Sequence, residues 1–129
     1  MDRLKDKVAL VTGGSKGIGA GISRRFAEEG AITIIASRKV EESQALADEL
    51  AKEGWRTDAH RLDISSLDEW RTIIDYIIDK YGRIDVLMNN AGVATTGAPM
   101  DTMDLARDWD MLIDCNLTGT FYGMYTVVP

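Results

Sequence analysis

The sequence predicts an α/β fold in which one parallel sheet is covered on both faces by helices, with strand order 3-2-1-4. Strand-like apolar runs alternate with helix-like patterns, which implies right-handed crossovers between parallel strands. The run at residues 32–36 is too uniformly apolar for a sheet with one face in water. We therefore expect a single domain over residues 1–129, built on a doubly wound sheet.

The first half of the predicted fold consists of two strand–helix units. Residues 8–11 form a buried strand and residues 18–29 form a helix, which Gly30 ends as a C′ glycine. Residues 32–36 form the second strand, and a helix from about residue 40 to residue 53 follows it. The side chains expected to face inward from these two helices are Ile18, Ile22, Phe26, Leu46, Ala47, Leu50 and Ala51.

The second half repeats this pattern. Residues 55–62 form a more polar strand, as expected near a sheet edge, and Ser66 with Glu69 forms a capping box for a helix that ends near Gly82. The apolar stripe of that helix comprises Leu67, Trp70, Ile73, Ile74, Ile77 and Ile78. The remaining predicted elements are a strand at residues 84–88, a loop containing Gly97 and Pro99, and a helical region from about residue 101 onward.

Composition narrows the range of partners. A net charge of −6 and a pI near 4.7 argue against a nucleic-acid partner, which favours a basic face. No apolar stretch approaches the roughly 18 residues of a membrane span, so no membrane partner is expected. Cys115 is the sole cysteine and is expected to be a small buried side chain, which suits a reducing, cytoplasmic location. With His60 as the one histidine, no metal site is predicted.

A glycine-rich turn joins the first strand to the first helix. In the segment Gly13-x-x-x-Gly17-x-Gly19, Gly13 makes the tight turn, Gly17 lets the backbone approach phosphate, and Gly19 brings the helix close to the sheet. Such a turn places a helix N-terminus where the pyrophosphate of a dinucleotide binds. A Rossmann-like, dinucleotide-binding domain is the prediction, and a purely structural turn is the alternative.

The spacing of these glycines, together with Asn89-Asn90-Ala91-Gly92 directly after the fourth strand, resembles the short-chain dehydrogenase/reductase family. The resemblance covers the whole chain and corresponds to the N-terminal half of a typical member. It implies an oxidoreductase that interconverts carbonyl and alcohol groups by hydride transfer, either 3-oxoacyl reductase-like or sugar/polyol dehydrogenase-like. It also implies a small-molecule carbonyl or alcohol substrate and a homo-oligomer.

The same resemblance implies roles for individual positions. Asp63 would accept a hydrogen bond from the adenine amino group and Ile64 would pack on the ring, although a loop acid is the alternative for Asp63. Asn90, Ala91 and Gly92 would run beside the adenine ribose, and Asn90 would also steady the central strand. Asn116 matches the active-site asparagine whose main-chain carbonyl holds a water in relatives. The implied cofactor-binding residues are Gly13, Ser15, Lys16, Gly17, Ile18, Gly19, Ser37, Arg38, Asp63, Ile64, Asn90, Ala91 and Gly92.

The end of the second strand predicts which nucleotide binds. An NAD site places an acid there to bond both ribose hydroxyls, whereas this chain has Ser37-Arg38-Lys39. A guanidinium can bond a 2′-phosphate bidentately, and Lys16 points toward the same corner. NADP(H) is therefore expected over NAD(H), and a solvated basic turn is the alternative.

Family members reduce carbonyls with a serine, a tyrosine and a lysine four residues after the tyrosine, and these residues lie beyond the family position matched by Pro129. We therefore expect the cofactor-binding half of an enzyme, truncated after the fourth strand and the helix that follows, without hydride transfer by the chain alone. Tyr76, Tyr81, Tyr122 and Tyr125 are not expected to replace the missing acid. The alternative is a non-catalytic dinucleotide-binding or subunit-interaction module.

Overall fold

The fold contains one four-stranded parallel sheet with the order β3-β2-β1-β4, which confirms the predicted topology. A computed structural model of the chain describes residues 2–93 and 100–128. The strands are β1 (Val8–Thr12), β2 (Ile32–Ser37), β3 (Thr57–Arg61) and β4 (Val86–Met88). The α-helices are α1 (Gly17–Glu28), α2 (Val40–Ala51), α3 (Leu67–Tyr81) and α4 (Thr120–Val127). The predicted loop residues Gly97 and Pro99 lie outside the described ranges.

Helices cover both faces of the sheet because alternate strand residues point in opposite directions. Ile34 belongs to a core cluster with Trp70 of α3, whereas its neighbour Ile35 belongs to a second cluster with Ala27 of α1 and Leu50 of α2. All residues of β1 are buried, as expected for a central strand with helices on both sides.

The inward face of α1 differs from the predicted one. The buried residues are Gly19, Ser23 and Ala27, whereas Ile18 is 80% exposed and Ile22 and Phe26 are partly exposed. Small side chains occupy this face because α1 approaches the glycine turn closely, and the Ser23 hydroxyl donates to the Gly14 carbonyl at 2.9 Å. Two smaller corrections concern Ala51 and Ile78, which are exposed rather than inward.

The N-terminus of α3 has only half of the predicted capping box. Ser66 Oγ accepts a hydrogen bond from the Glu69 backbone N–H at 3.2 Å, as expected. The Glu69 carboxylate does not return to Ser66, because its Oε1 accepts from the Asp63 backbone N–H at 3.1 Å. At the other end, Gly82 ends α3 with a φ of 84°.

The final helical region is interrupted rather than uniform. A 3-10 turn (Met100–Thr102) precedes two π-helical segments, Leu105–Asp110 and Ile113–Gly119, and α4 follows the second of them. Gly119 packs so closely that a Cβ there would lie 2.7 Å from the Ile64 carbonyl oxygen. Among residues 2–93 and 100–128, no helix is long and apolar enough to cross a bilayer.

Candidate cofactor-binding site

A cleft of about 630 Å³ opens at the carboxyl ends of the four strands. The sheet order reverses there between β1 and β4, which is where ligands bind in open α/β sheets. The predicted cofactor residues that line it are Gly13, Ser15, Lys16, Ser37, Arg38, Asp63, Ile64, Asn90, Ala91 and Gly92. The predicted residues Gly17, Ile18, Gly19 and Asn116 do not line the cleft.

The glycine turn is closely packed against the loop after β4. Gly13 has a φ of +61°, and a Cβ on it would lie 2.9 Å from the Ala91 Cα. A Cβ on Gly19 would lie 1.9 Å from the Gly13 carbonyl oxygen and 2.7 Å from Asn90 Nδ2. The close approach at Gly19 is therefore to the turn itself and to Asn90, rather than to the strands. By contrast, apart from its chain neighbours and the backbone of its own helix, no described atom lies within 4 Å of the position that a Cβ on Gly17 would take, so this side of its backbone is open to a ligand.

Asn90 holds the glycine turn from the loop that follows β4. Its Nδ2 donates to the carbonyl oxygens of Thr12 and Gly13, both at 3.2 Å. Thr12 Oγ1 accepts in return from the backbone N–H groups of Asn90 and Ala91, at 3.1 and 3.0 Å. These hydrogen bonds tie the loop after β4 to the end of β1. They extend the short pairing of β1 with β4 to the edge of the cleft.

The loop after β3 presents an ionised acid to the cleft. Asp63 Oδ1 accepts from the backbone N–H and the hydroxyl of Ser65, at 3.0 and 2.7 Å. Burial alone would raise the pKa of the Asp63 carboxyl, but the Ser65 hydrogen bonds and the guanidinium groups of Arg38 and Arg61 outweigh it and lower the pKa. Asp63 thus closes its own loop and remains a charged acceptor. The neighbouring Ile64 is buried beside it, and its carbonyl accepts from Trp70 Nε1 at 2.9 Å.

One corner of the cleft is basic. Lys16, Arg38, Lys39 and Arg61 all line it, and Glu42 is the acid among them. The Lys16 ammonium lies 3.9 Å from the Glu42 carboxylate. Sequence reasoning missed Glu42 and Arg61. The signal that could have identified Arg61 is its place at the end of a strand, because the carboxyl ends of parallel strands share one edge of the sheet.

Ser37 turns its hydroxyl into the loop that follows β2. Its Oγ donates to the Lys39 carbonyl at 2.9 Å and lies 2.6 Å from the hydroxyl of Ser43 on α2. The residue thereby shapes the loop that carries Arg38. Because serine is neutral and small, the place where an NAD site has a carboxylate carries no negative charge here.

Asn116 reaches the cleft through another residue. Its Oδ1 accepts from the Val93 backbone N–H and its Nδ2 donates to the Val93 carbonyl, both at 2.8 Å. Val93 lines the cleft, so the amide clamps the cleft wall. The Asn116 main-chain carbonyl accepts from Thr120 Oγ1 at 3.0 Å, within the π-helical segment. Cys115 is buried as predicted, and burial raises the pKa of its thiol.

A Tyr-x-x-x-Lys pair does occur in the chain, so the exclusion of Tyr76 as the acid cannot rest on a missing lysine at that spacing. Tyr76 and Lys80 lie on α3, where the Tyr76 hydroxyl donates to Asp58 Oδ2 at 2.5 Å and the Lys80 ammonium contacts the same oxygen at 3.0 Å. Tyr81 also donates to this oxygen, at 2.7 Å. Asp58 lies near the amino end of β3, away from the cleft at the carboxyl end. The pair therefore ties α3 to the sheet edge, and within the described residues no tyrosine lines the cleft.

We expect Asp58→Asn to lower the free energy of unfolding at pH 7 by about 1–3 kcal/mol, because it weakens hydrogen bonds to a charged acceptor. Burial raises the pKa of Asp58, but the bonds from Tyr76, Tyr81 and Lys80 outweigh it and lower the pKa. Burial, reinforced by Asp58, raises the pKa of Tyr81 to about 12. Urea denaturation across the pH range measures the effect.

The sign of the pH dependence follows from these directions. Because folding lowers the pKa of Asp58, its carboxylate stabilises the fold at pH values above the ordinary pKa of an aspartate. That stability is lost as the pH falls through the folded-state pKa. A raised Tyr81 pKa contributes stability that is lost as the pH rises toward about 12. Asp58→Asn should flatten the acid limb of the profile. The exposed Asp79→Asn on the same helix serves as the control, and equal profiles for the two variants would contradict the assignment.

The site offers donors and acceptors suited to a dinucleotide. Across residues 2–93 and 100–128, no group of three or more His, Cys, Asp or Glu side chains is placed to hold a metal. The open backbone at Gly17 offers N–H donors to a phosphate group, the basic corner offers positive charge, and the Asp63 carboxylate offers an acceptor.

Comparisons with known proteins agree with this description. The family model for short chain dehydrogenase matches residues 7–129. The 3-oxoacyl-[acyl-carrier-protein] reductase FabG of Thermotoga maritima is 38% identical over 127 residues, covering 98% of this chain and 51% of that protein. Tropinone reductase-like 2 of Erythroxylum coca is 39% identical over 123 residues, covering 94% of this chain and 44% of that protein.

A solved structure resembles the whole described fold. The crystal structure of a metagenomic short-chain oxidoreductase in complex with NADP has a TM-score of 0.92 and 37% identity, and covers 98% of this chain and 57% of its own. The chain spans about half the length of the curated relatives that it matches. The glycine turn, the strand order and the family match over residues 7–129 together show that this chain belongs to the short-chain dehydrogenase family.

Proposed function

We propose that this chain is the NADP(H)-binding half of an oxidoreductase that interconverts carbonyl and alcohol groups. The observation that carries the choice of nucleotide is the basic corner at the carboxyl end of β2, where Arg38 and Lys39 line the cleft beside Lys16. A guanidinium can bond a 2′-phosphate at two oxygens, and nearby ammonium groups add favourable charge. Ser37 leaves the usual position of an NAD-selective acid uncharged.

Each part of the cofactor has candidate residues in this chain. The glycine turn and the N-terminus of α1 would hold the pyrophosphate, since Gly17 has open space above its backbone. Asp63 would accept from the adenine amino group, and Ile64 would support the ring. Ala91 and Gly92 would border the adenine ribose, and Ile18, which is 80% exposed at the start of α1, would lose that exposure against the bound cofactor. Bound NADPH would supply a hydride to a carbonyl carbon.

The substrate is proposed from relatives alone. The Thermotoga maritima relative is named as a 3-oxoacyl-[acyl-carrier-protein] reductase, and another relative is named as a trans-4-hydroxycyclohexanecarboxylate dehydrogenase. A small carbonyl or alcohol compound is the substrate class common to these names. The second candidate is a dinucleotide-binding or subunit-interaction module without turnover, which the absence of a tyrosine from the described cleft lining favours.

The deciding experiment is a titration of the chain with NADPH and with NADH. We expect NADPH to bind with the lower dissociation constant, and the difference should shrink at high salt, because charge on the 2′-phosphate is screened. Equal dissociation constants would contradict the assignment to NADP(H). An assay of NADPH oxidation with an acetoacetyl thioester separates the two functions, since turnover above the buffer background would rule out the non-catalytic module.

We also propose that the chain associates with a second copy through the final helical region. Large apolar side chains are exposed there at helical spacing, namely Leu105, Trp109, Leu117, Phe121, Met124, Tyr125 and Val128. An exposed apolar face of this kind is typical of a protein interface. Sedimentation velocity measures the oligomeric state, and a monomer at micromolar concentration would contradict the proposal.

The sole cysteine supports a reducing, cytoplasmic location.

A further inference from the structure

We propose that Arg61 is a positioning residue for the adenosine end of the cofactor, an inference that rests on the proposed NADP(H) function. Arg61 is the last residue of β3 and lines the cleft. It lies between the segment that carries Arg38, proposed for the 2′-phosphate, and the segment that carries Asp63, proposed for the adenine. One side chain therefore adjoins both halves of the proposed adenosine site.

The contacts of Arg61 join three elements. Its Nη1 donates to the Arg38 carbonyl oxygen at 2.6 Å, across the loop between β2 and α2. Its Nε lies 3.3 Å from Glu69 Oε1, in the first turn of α3. The same Glu69 oxygen accepts from the Asp63 backbone N–H at 3.1 Å. A continuous chain of contacts thus runs from the Arg38 carbonyl through Arg61 and Glu69 to the Asp63 backbone.

This series of contacts lies where the pairing of β2 with β3 ends, and that position explains the role of Arg61. Parallel pairing of β2 with β3 runs to the Ser37–Arg61 register, and the Leu62 backbone N–H donates to the Ser37 carbonyl at 2.8 Å. The guanidinium of Arg61 extends this pairing by one residue, to Arg38. The backbone that aims the Arg38 side chain is therefore anchored by a side chain from the neighbouring strand.

Arg61 also carries a positive charge in a basic corner, so a role through charge alone must be distinguished from a positioning role. The two roles predict different results in binding experiments. A role through charge alone would act on the 2′-phosphate of NADPH and not on NADH. A positioning role would act on both nucleotides, because both have an adenosine end. Glu69 separates the roles most sharply, since Glu69→Gln removes the carboxylate that holds Arg61 and leaves the Arg61 charge in place.

The experiment is calorimetric titration of the wild-type chain and its variants with NADPH, NADH and 2′,5′-ADP. We expect Arg61→Ala and Glu69→Gln to weaken the binding of NADPH and NADH in parallel by about fivefold to tenfold, which is the fold-change that the net contribution of one typical hydrogen bond produces. Arg61→Lys keeps the charge, cannot make both contacts, and should show the same parallel loss. Thermal denaturation of each variant should show a cooperative transition.

The matched control is Arg24→Ala. Arg24 also forms an exposed ion pair between two elements, with its Nη2 3.4 Å from Glu49 Oε2, and it does not line the cleft. Its removal should change neither nucleotide affinity by more than about twofold, since exposed ion pairs contribute little.

Three results would overturn the inference. Tighter NADPH binding by Glu69→Gln with unchanged NADH binding would assign a role through charge alone. Unchanged affinities in both Arg61 variants, with a wild-type chain that binds NADPH, would remove the positioning role and leave the proposed function intact. A wild-type chain that binds neither nucleotide would remove both.

Discussion

Replacing Arg38 with aspartate should reverse the nucleotide preference of this chain. The variant loses a guanidinium that can bond the 2′-phosphate at two oxygens and gains a carboxylate that repels it. Loss of charge-assisted hydrogen bonds, together with the new repulsion, corresponds to about 3 kcal/mol, or an NADPH dissociation constant about 100-fold higher. The same carboxylate can accept from both ribose hydroxyls of NADH, so NADH should bind more tightly than to the wild-type chain.

Fluorescence titration with both nucleotides measures this reversal. Arg71→Asp is the control, because it makes the same change in net charge on α3, at a residue that does not line the cleft. At physiological salt a distant charge is screened, so this control should keep the wild-type preference. An Arg38→Asp variant that still prefers NADPH would show that Lys16, Lys39 or Arg61 carries the recognition.

Replacing Gly19 with alanine should have the largest structural effect of any single methyl addition in α1. The added Cβ would lie 1.9 Å from the Gly13 carbonyl oxygen, and that oxygen belongs to the backbone and accepts from Asn90. Because the nearest atom belongs to the backbone rather than to a flexible side chain, the turn must move. We expect a loss of about 3 kcal/mol in the free energy of unfolding, at the upper end of overpacking effects, and a marked loss of nucleotide binding.

Gly21→Ala is the matched control for this prediction. Gly21 lies two residues further along α1, is exposed, and has nothing within 4 Å of the Cβ position. Alanine should therefore stabilise the helix there by up to about 1 kcal/mol, because it has the higher helix propensity. Urea denaturation compares the two variants. Equal stabilities would show that the turn relaxes around the new methyl group and that close packing at Gly19 is not required.

Local patterns in the sequence predicted most of the architecture. The buried strands, the start of α3 at Ser66 and its end at Gly82 depend on residues within a few positions of one another. The inward face of α1 was predicted wrongly for a non-local reason. Its apolar periodicity pointed to Ile18, whereas the packed turn at Gly13 and Asn90 accepts only small residues, so Gly19 faces inward.

In the candidate site, too, some features follow from local sequence and others from contacts between distant residues. Glycine spacing and the residues after each strand predicted which positions reach the carboxyl edge of the sheet, and most of them line the cleft together. The predicted capping contact from Glu69 to Ser66 was wrong, because the carboxylate finds Asp63 and Arg61 instead. A local signature could not reveal this competition between partners.

The sequence by itself determined the element order, the glycine turn and the basic character of the segment after β2, because these depend on neighbours along the chain. Only the tertiary structure decided which residues contact one another. In the sequence, 78 residues separate Asn90 from Thr12, and 23 separate Arg61 from Arg38. The order and register of the strands bring such residues together, and that order arises when both faces of the sheet are buried at once. Tyr76 and Lys80 illustrate the difference: their spacing is typical of a catalytic pair, whereas their hydrogen bonds to Asp58, near the amino end of β3, make them a structural one.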